Sequence, residues 1–131
     1  MIVLDTHTII WDALSPERLS PKAKEAIYLA NEEDGIIFCD ISLWEIAMLI
    51  KKERVRIDIG YQDFINLVLG SNKYIIHRIT PGIAELSVNL PASINKDPAD
   101  RIIVATSIIN NAPLVTKDEN LIKSTEITVI W

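Results

Sequence analysis

The 131-residue chain has one cysteine, four glycines and two histidines. Each scarcity excludes something. The lone Cys39 cannot close an internal disulfide or anchor a cysteine-based zinc site within one chain, so a reducing cytoplasm is the expected setting and Cys39 reads as a small buried apolar residue. Gly35, Gly60, Gly70 and Gly82 are too scattered to build a glycine-rich phosphate loop. No apolar run approaches the ~20 residues of a membrane span, and Met1-Ile2-Val3-Leu4 meets an acid at once, so neither a membrane segment nor a signal peptide is expected. Cations are the minority as well: 13 Lys and Arg face 18 Asp and Glu, a net charge of -5. On its face that argues against a nucleic-acid partner, because phosphate binding leaves a basic footprint, unless several acids neutralise bound metal ions. The two basic clusters, Lys51-Lys52-Glu53-Arg54-Val55-Arg56 and the stretch from Lys73 to Arg78, read as a solvated helix end and a solvated loop.

What is present is apolar material, 49% of the chain, enough for the core of one domain over residues 1–131. Ile2 to Leu4 is a short β-branched run of the kind that forms a strand covered on both faces. Ser20-Pro21 supplies an N-cap and a first-turn proline for a helix from Lys22 to Ala30. Asp34-Gly35 turns the chain into a second strand, Ile36 to Cys39. A helix follows from Leu43 to Lys52, then a weaker one from Tyr61 to Leu69, a third strand from Tyr74 to Ile79, and a helix capped by Thr80-Pro81. Asp97-Pro98 repeats the cap-plus-proline device ahead of a helix from Ala99 to Asn110. Strands at Pro113 to Val115 and Ile127 to Ile130, with a helical turn between them, complete the alternation. The pattern predicts an α/β fold with a parallel central sheet flanked by helices.

Four acids stand where apolar segments begin or end. Glu45 is the only polar residue in Leu43-Trp44-Glu45-Ile46-Ala47-Met48-Leu49-Ile50, a helix apolar nearly all round that should pack on most sides. Asp5 closes the first strand, Asp100 opens a helix, and Asp118 follows Leu114-Val115. In open parallel sheets the loops after the strands gather at one edge, so Asp5, Glu45, Asp100 and Asp118 should converge there. Helix N-termini offset part of their repulsion, and an oxygen-only ligand set suits a hard ion, Mg²⁺ or Mn²⁺. Each acid also has a bland reading: Glu45 completes a capping box with Ser42 in the first helical turn, Asp97 and Asp118 are N-caps, Asp100 favours a helix dipole, and Asp5 is a turn residue. Around them, Thr6 and Thr116 orient acids or make ordinary turn bonds, Asp97 is an outer helper, and Arg101 pairs with a carboxylate or touches a phosphate. His7, His77 and Asp40 read as structural or solvated.

Taken together, MIVLDTHTIIW, ISLWEIAMLIKKERV, DPADRIIVATS and APLVTKDENL before the terminal ITVIW resemble a PIN domain, and more narrowly the VapC-type toxins of toxin–antitoxin pairs. The resemblance runs from Met1 to Trp131. It implies a Mg²⁺- or Mn²⁺-dependent ribonuclease, usually homodimeric, held inactive by a cognate antitoxin, with Asp5, Glu45, Asp100 and Asp118 as its acids. It also implies hydrolysis by metal-activated water, giving 5′-phosphate and 3′-hydroxyl ends. PIN domains also serve RNA processing outside such pairs, and a non-catalytic module docking a basic segment is the alternative without chemistry. A haloacid-dehalogenase-like enzyme fits less well, because His7 stands where its second Asp belongs. One departure from similar sequences is Asn95, where a His often precedes the DPADR motif; it bears on substrate contact and is expected to leave the metal site untouched.

Overall fold

A computed structural model describes residues 1–131. Five strands, β1 (Ile2–Leu4), β2 (Ile36–Cys39), β3 (Tyr74–His77), β4 (Leu114–Val115) and β5 (Val129–Ile130), form one sheet in the order β3-β2-β1-β4-β5. Every pairing is parallel, with Val3 opposite Ile37 on one side and Leu114 on the other. Because successive side chains alternate faces, β1 feeds two cores. Ile2 and Leu4 join Ile36, Phe38 and Val115 on one face. Val3 joins Ile37, Cys39 and Leu114 on the other, beneath Ile103 and Val104. This double coverage is why β1 and β2 are continuous apolar runs.

The helices are α1 (Thr6–Leu14), α2 (Pro21–Glu32), α3 (Ile41–Lys51), α4 (Tyr61–Ser71), α5 (Pro81–Asn89), α6 (Pro98–Ile109) and the short α7 (Glu119–Ile122), with a 3-10 turn at Pro16–Arg18. The cap-plus-proline signals fall where expected: Ser20 accepts from Ala23 N, Thr80 from Ile83 N, and Asp97 from Ala99 N and Asp100 N. Gly35 takes φ 97°, and a Cβ there would lie 2.8 Å from Lys73 O, so the turn into β2 requires glycine.

Three expectations are corrected. Helix α3 starts at Ile41 rather than Leu43, which puts Ser42 inside the helix and Glu45 in its second turn, so there is no capping box. Nor does α3 pack on most sides: Ile46 and Leu49 are in the core, but Trp44 is 59% exposed. Strand β3 ends at His77, two residues early, because Ile79 N donates to Asp40 Oδ2 at 3.3 Å and leaves the ladder. As an edge strand β3 also leaves Ile75 and Ile76 half-exposed.

Candidate functional site

At the carboxyl edge of the sheet five acids arrive from four chain segments. Asp5 follows β1 and is the N-cap of α1, its Oδ1 accepting from Thr8 N at 2.8 Å. Asp118 follows β4 and caps α7 through Leu121 N, at 3.1 Å from its Oδ1. Glu45 reaches in from α3, while Asp97 and Asp100 occupy the N-cap and third position of α6. Carboxylate oxygens of Glu45, Asp97 and Asp100 lie within 4.8 Å of one another. Asp5 and Asp118 adjoin that trio, and both charges act on Asp100.

Buried hydroxyls hold the acids. Thr6 donates to Glu45 Oε1 and shares a second hydrogen bond of 2.9 Å with Ser42, both hydroxyl residues being buried. Thr116 donates to Asp5 Oδ2 and accepts from Asp118 N at 3.1 Å, so one side chain fixes two acids from adjacent loops. Buried hydroxyls must find partners, and here the partners are the acids themselves.

Asn95 provides the third link. Its amide nitrogen donates to Asp100 Oδ2 at 3.1 Å and to Asp118 Oδ2 at 2.7 Å. Its oxygen accepts from Asn120 Nδ2 at 2.7 Å. Carboxylates only accept, so these partners dictate which way the amide faces. Far from lying outside the acid site, Asn95 bridges two of its members. Arg101 is the opposite case: it pairs with no carboxylate, and its guanidinium donates instead to the carbonyls of Ser87, Leu90, Pro91, Ile94 and Asn95. It gathers the loop that presents Asn95.

Crowding carboxylates in a half-buried recess disfavours their charged forms. Asp100 is raised to about 6, chiefly by burial, with the Asn95 hydrogen bond opposing and the charges of Asp97, Asp118 and Asp5 adding to it. Glu45 is raised as well, again first by burial, while the Thr6 hydrogen bond and the nearby His7 pull it back. Elsewhere, burial pushes the Cys39 thiol up to about 12, which makes it inert. His77 bonds Arg78 O and Asn110, and Asp40 turns toward Ile79. Ser42 and Asn95 were noted in the sequence for other reasons, and their bonds to Thr6 and to Asp100 and Asp118 are what residue patterns did not show. The only signal for Ser42 was its position three residues before Glu45, on the same helical face.

The donor set consists of oxygens only, from five acids, with no Lys or Arg hydrogen-bonded among them. That is the chemistry of a hard divalent cation site. A PIN domain model matches residues 2–126. The chain belongs to the PIN domain family. Across 92% of this PIN domain protein and 88% of the relative, it is 37% identical over 120 residues to ribonuclease VapC22 of Mycobacterium tuberculosis. Its fold is similar to that of VapBC2 from Rickettsia felis bound to a promoter DNA fragment, with a TM-score of 0.75 at 16% identity, covering 98% of this chain and 97% of that one. It is similar too to a toxin–antitoxin complex from Klebsiella pneumoniae, with a TM-score of 0.67 at 20% identity, covering 100% and 97%.

Proposed function

We propose that this PIN domain, acting as one unit over residues 1–131, is a metal-dependent endoribonuclease of the VapC type and the toxin half of a toxin–antitoxin pair. The observation that carries the reading is the convergence of Glu45, Asp97 and Asp100 oxygens within 4.8 Å, flanked by Asp5 and Asp118 and free of any ion-paired cation. The 37% identical relative bears the name of a ribonuclease, which agrees with it.

In this reading Asp5, Glu45, Asp100 and Asp118 hold one or two Mg²⁺ or Mn²⁺ ions, with Asp97 completing the recess. When bound, the ion supplies a water of lowered pKa and neutralises charge at the phosphate and the leaving oxygen. The protein's own residues do the rest. Thr6 and Thr116 keep Glu45 and Asp5 oriented by donating to one oxygen of each, which aims the remaining lone pairs at the recess. Asn95 keeps Asp100 and Asp118 at a fixed separation. Because the nucleophile is water and not a ribose hydroxyl, the products carry 5′-phosphate and 3′-hydroxyl ends.

The partners that follow are RNA, a cognate antitoxin and a second copy of the chain, in the cytoplasm. No helix is long and apolar enough to cross a membrane. The half-exposed Ile75 and Ile76 and the exposed Val88 and Ile109 offer apolar surface for a homodimer. An acid recess attracts a cationic side chain when no ion is there, so the antitoxin is expected to insert an Arg or Lys among Asp5, Glu45, Asp100 and Asp118. The test is cleavage of RNA by the purified protein. Activity should vanish in EDTA, return with Mn²⁺ and be absent from a folded Asp5→Asn variant; wild-type rates in that variant would overturn the reading.

A further inference from the structure

Next to the acid recess lies a second concavity of opposite character. It is a cleft of about 640 Å³ bordered by His7, Trp11, Arg18, Leu49, Arg54 and Arg56, and none of its ten lining residues is acidic. Three of the chain's five arginines are gathered here from two separate segments, the 3-10 turn and the stretch after α3. Arg18, Arg54, Arg56 and His7 are all exposed. In a protein of net charge -5 this cleft is a local concentration of positive charge. Charged groups within about one Debye length, ~8 Å at physiological salt, still act on a ligand, so this cleft sets the local potential despite the negative total.

Among its lining residues Trp11 is the large aromatic. The Trp11 ring lies 5.1 Å from the Arg18 guanidinium carbon and 5.9 Å from Lys117 Nζ, and its centroid is 5.9 Å from those of both His7 and Trp131. Two of these neighbours tie the cleft to the acids. His7 sits in the first turn of α1, one residue after Thr6, whose hydroxyl donates to Glu45. Lys117 lies between Thr116 and Asp118.

We propose that this cleft is the track along which a single RNA strand enters the acid recess. Arg18, Arg54 and Arg56 hold phosphates neighbouring the one to be cut, and the layer of Trp11 and Arg18 stacks a base. This rests on the ribonuclease reading above. Arginine suits the role because its planar fork meets two phosphate oxygens at once and also stacks. A single strand fits better than an acidic polypeptide because flat aromatic and guanidinium surfaces match bases, and a positive groove lined by such platforms is how single strands are held without duplex contacts. The track also resolves a contradiction: five carboxylates repel a polyanion, and the compensating charge has to stand beside them.

The experiment compares wild type with Arg54→Gln/Arg56→Gln and with Arg18→Gln, all exposed positions, on two substrates in Mn²⁺: an RNA of about 12 nucleotides, long enough to fill such a groove, and a trinucleotide confined to the acid recess. Binding of the longer RNA in Ca²⁺ is followed by fluorescence anisotropy against salt. For the double variant, KM on the longer RNA should rise about 10-fold with kcat held. The slope of log affinity against log salt should fall by about 1.4, the share of two single-strand phosphate contacts. Trinucleotide cleavage should stay within about 2-fold of wild type, as expected if remote binding energy alone is lost. Unchanged affinity and slope in every variant would overturn the track while leaving a wild-type ribonuclease standing. Equal loss on both substrates would overturn it as a disturbance of the acids themselves. Loss of binding to a glutamate-rich peptide with RNA binding intact would reassign the cleft to an acidic polypeptide. A wild-type protein that neither binds nor cuts RNA would take down both readings.

Discussion

The acid recess has two halves that are held differently. On the side of β1 and β4, both oxygens of Asp5 and both of Asp118 accept hydrogen bonds: from Thr8 N and Thr116 in one case, from Leu121 N and Asn95 in the other. On the side of α3 and α6, Glu45 is engaged through Oε1 only, Asp97 through Oδ1 only and Asp100 through Oδ2 only. One half is pinned by the protein; the other keeps an oxygen on each acid for something else. Those are the three acids whose oxygens approach within 4.8 Å. The division shows how a chain can crowd carboxylates and stay folded: it fixes Asp5 and Asp118 by a hydrogen bond to each oxygen, which still leaves lone pairs for a ligand, and keeps one oxygen of Glu45, Asp97 and Asp100 wholly free.

Removing an acid from the open half should be as damaging as the Asp5→Asn change in the pinned half. Asp100→Asn or Glu45→Gln should lower RNA cleavage on the order of 10³-fold, equivalent to about 4 kcal/mol of barrier, in a protein with an unchanged circular dichroism spectrum. Full activity of Glu45→Gln at saturating Mn²⁺ would mean that its charge is dispensable. Next is the tie between the halves. Asn95→Ala strips a donor from Asp100 and Asp118 together, and Mn²⁺ affinity measured by calorimetry should weaken about 10- to 100-fold, the usual cost of losing an orienting partner. Equal Mn²⁺ affinity with and without the Asn95 amide would show that the two halves need no tether.

Asp97→Asn separates capping from charge, since asparagine caps a helix as well as aspartate does. Thermal stability should hold within about 1 kcal/mol by that capping equivalence, while Mn²⁺ binding weakens; a variant that loses stability but not affinity would reduce Asp97 to a cap. The smallest effect concerns pH. Asp100 is raised in the folded state from 3.8 to about 6. A group raised in this way contributes stability that is present below its unfolded pKa and lost as pH rises through its folded one. Metal-free protein should therefore melt higher near pH 4 to 5 than near pH 7, by an amount on the order of 1 to 2 kcal/mol after discounting for solvent screening. Asp100→Asn should flatten that dependence, and Mn²⁺ should reverse it.

What the sequence made legible is what local chemistry decides. Strands β1 and β2 are apolar throughout because both faces are covered, and α2, α5 and α6 begin at capping residues followed by proline. The α/β alternation, and the acids at loops after strands, came from those signals. Helix α1 did not show, because Thr6, Thr8, Ile9 and Ile10 are β-branched and carry a strand-like propensity that tertiary packing overrides. The spacing of Ser42 and Glu45 mimicked a capping box, yet a hydroxyl 36 residues away in the chain, that of Thr6, claims Ser42. The bonds of Asn95 to two acids and of Arg101 to backbone carbonyls were not legible for the same reason: their partners are set by how a loop folds back, which no window of sequence contains.

The arginine that turns away from the acids has a consequence for motion. By gathering five carbonyls between Ser87 and Asn95, Arg101 joins the end of α5, the following loop and the first turn of α6 into one cooperative patch. Amide protons there should exchange with solvent together, in a single sub-global opening, whereas in Arg101→Lys, which keeps the charge but not the fork, they should open piecemeal and sooner. Since Asn95 is on that patch, each opening would free Asp100 and Asp118 from one another, and the breathing of a loop would set how often the recess loosens.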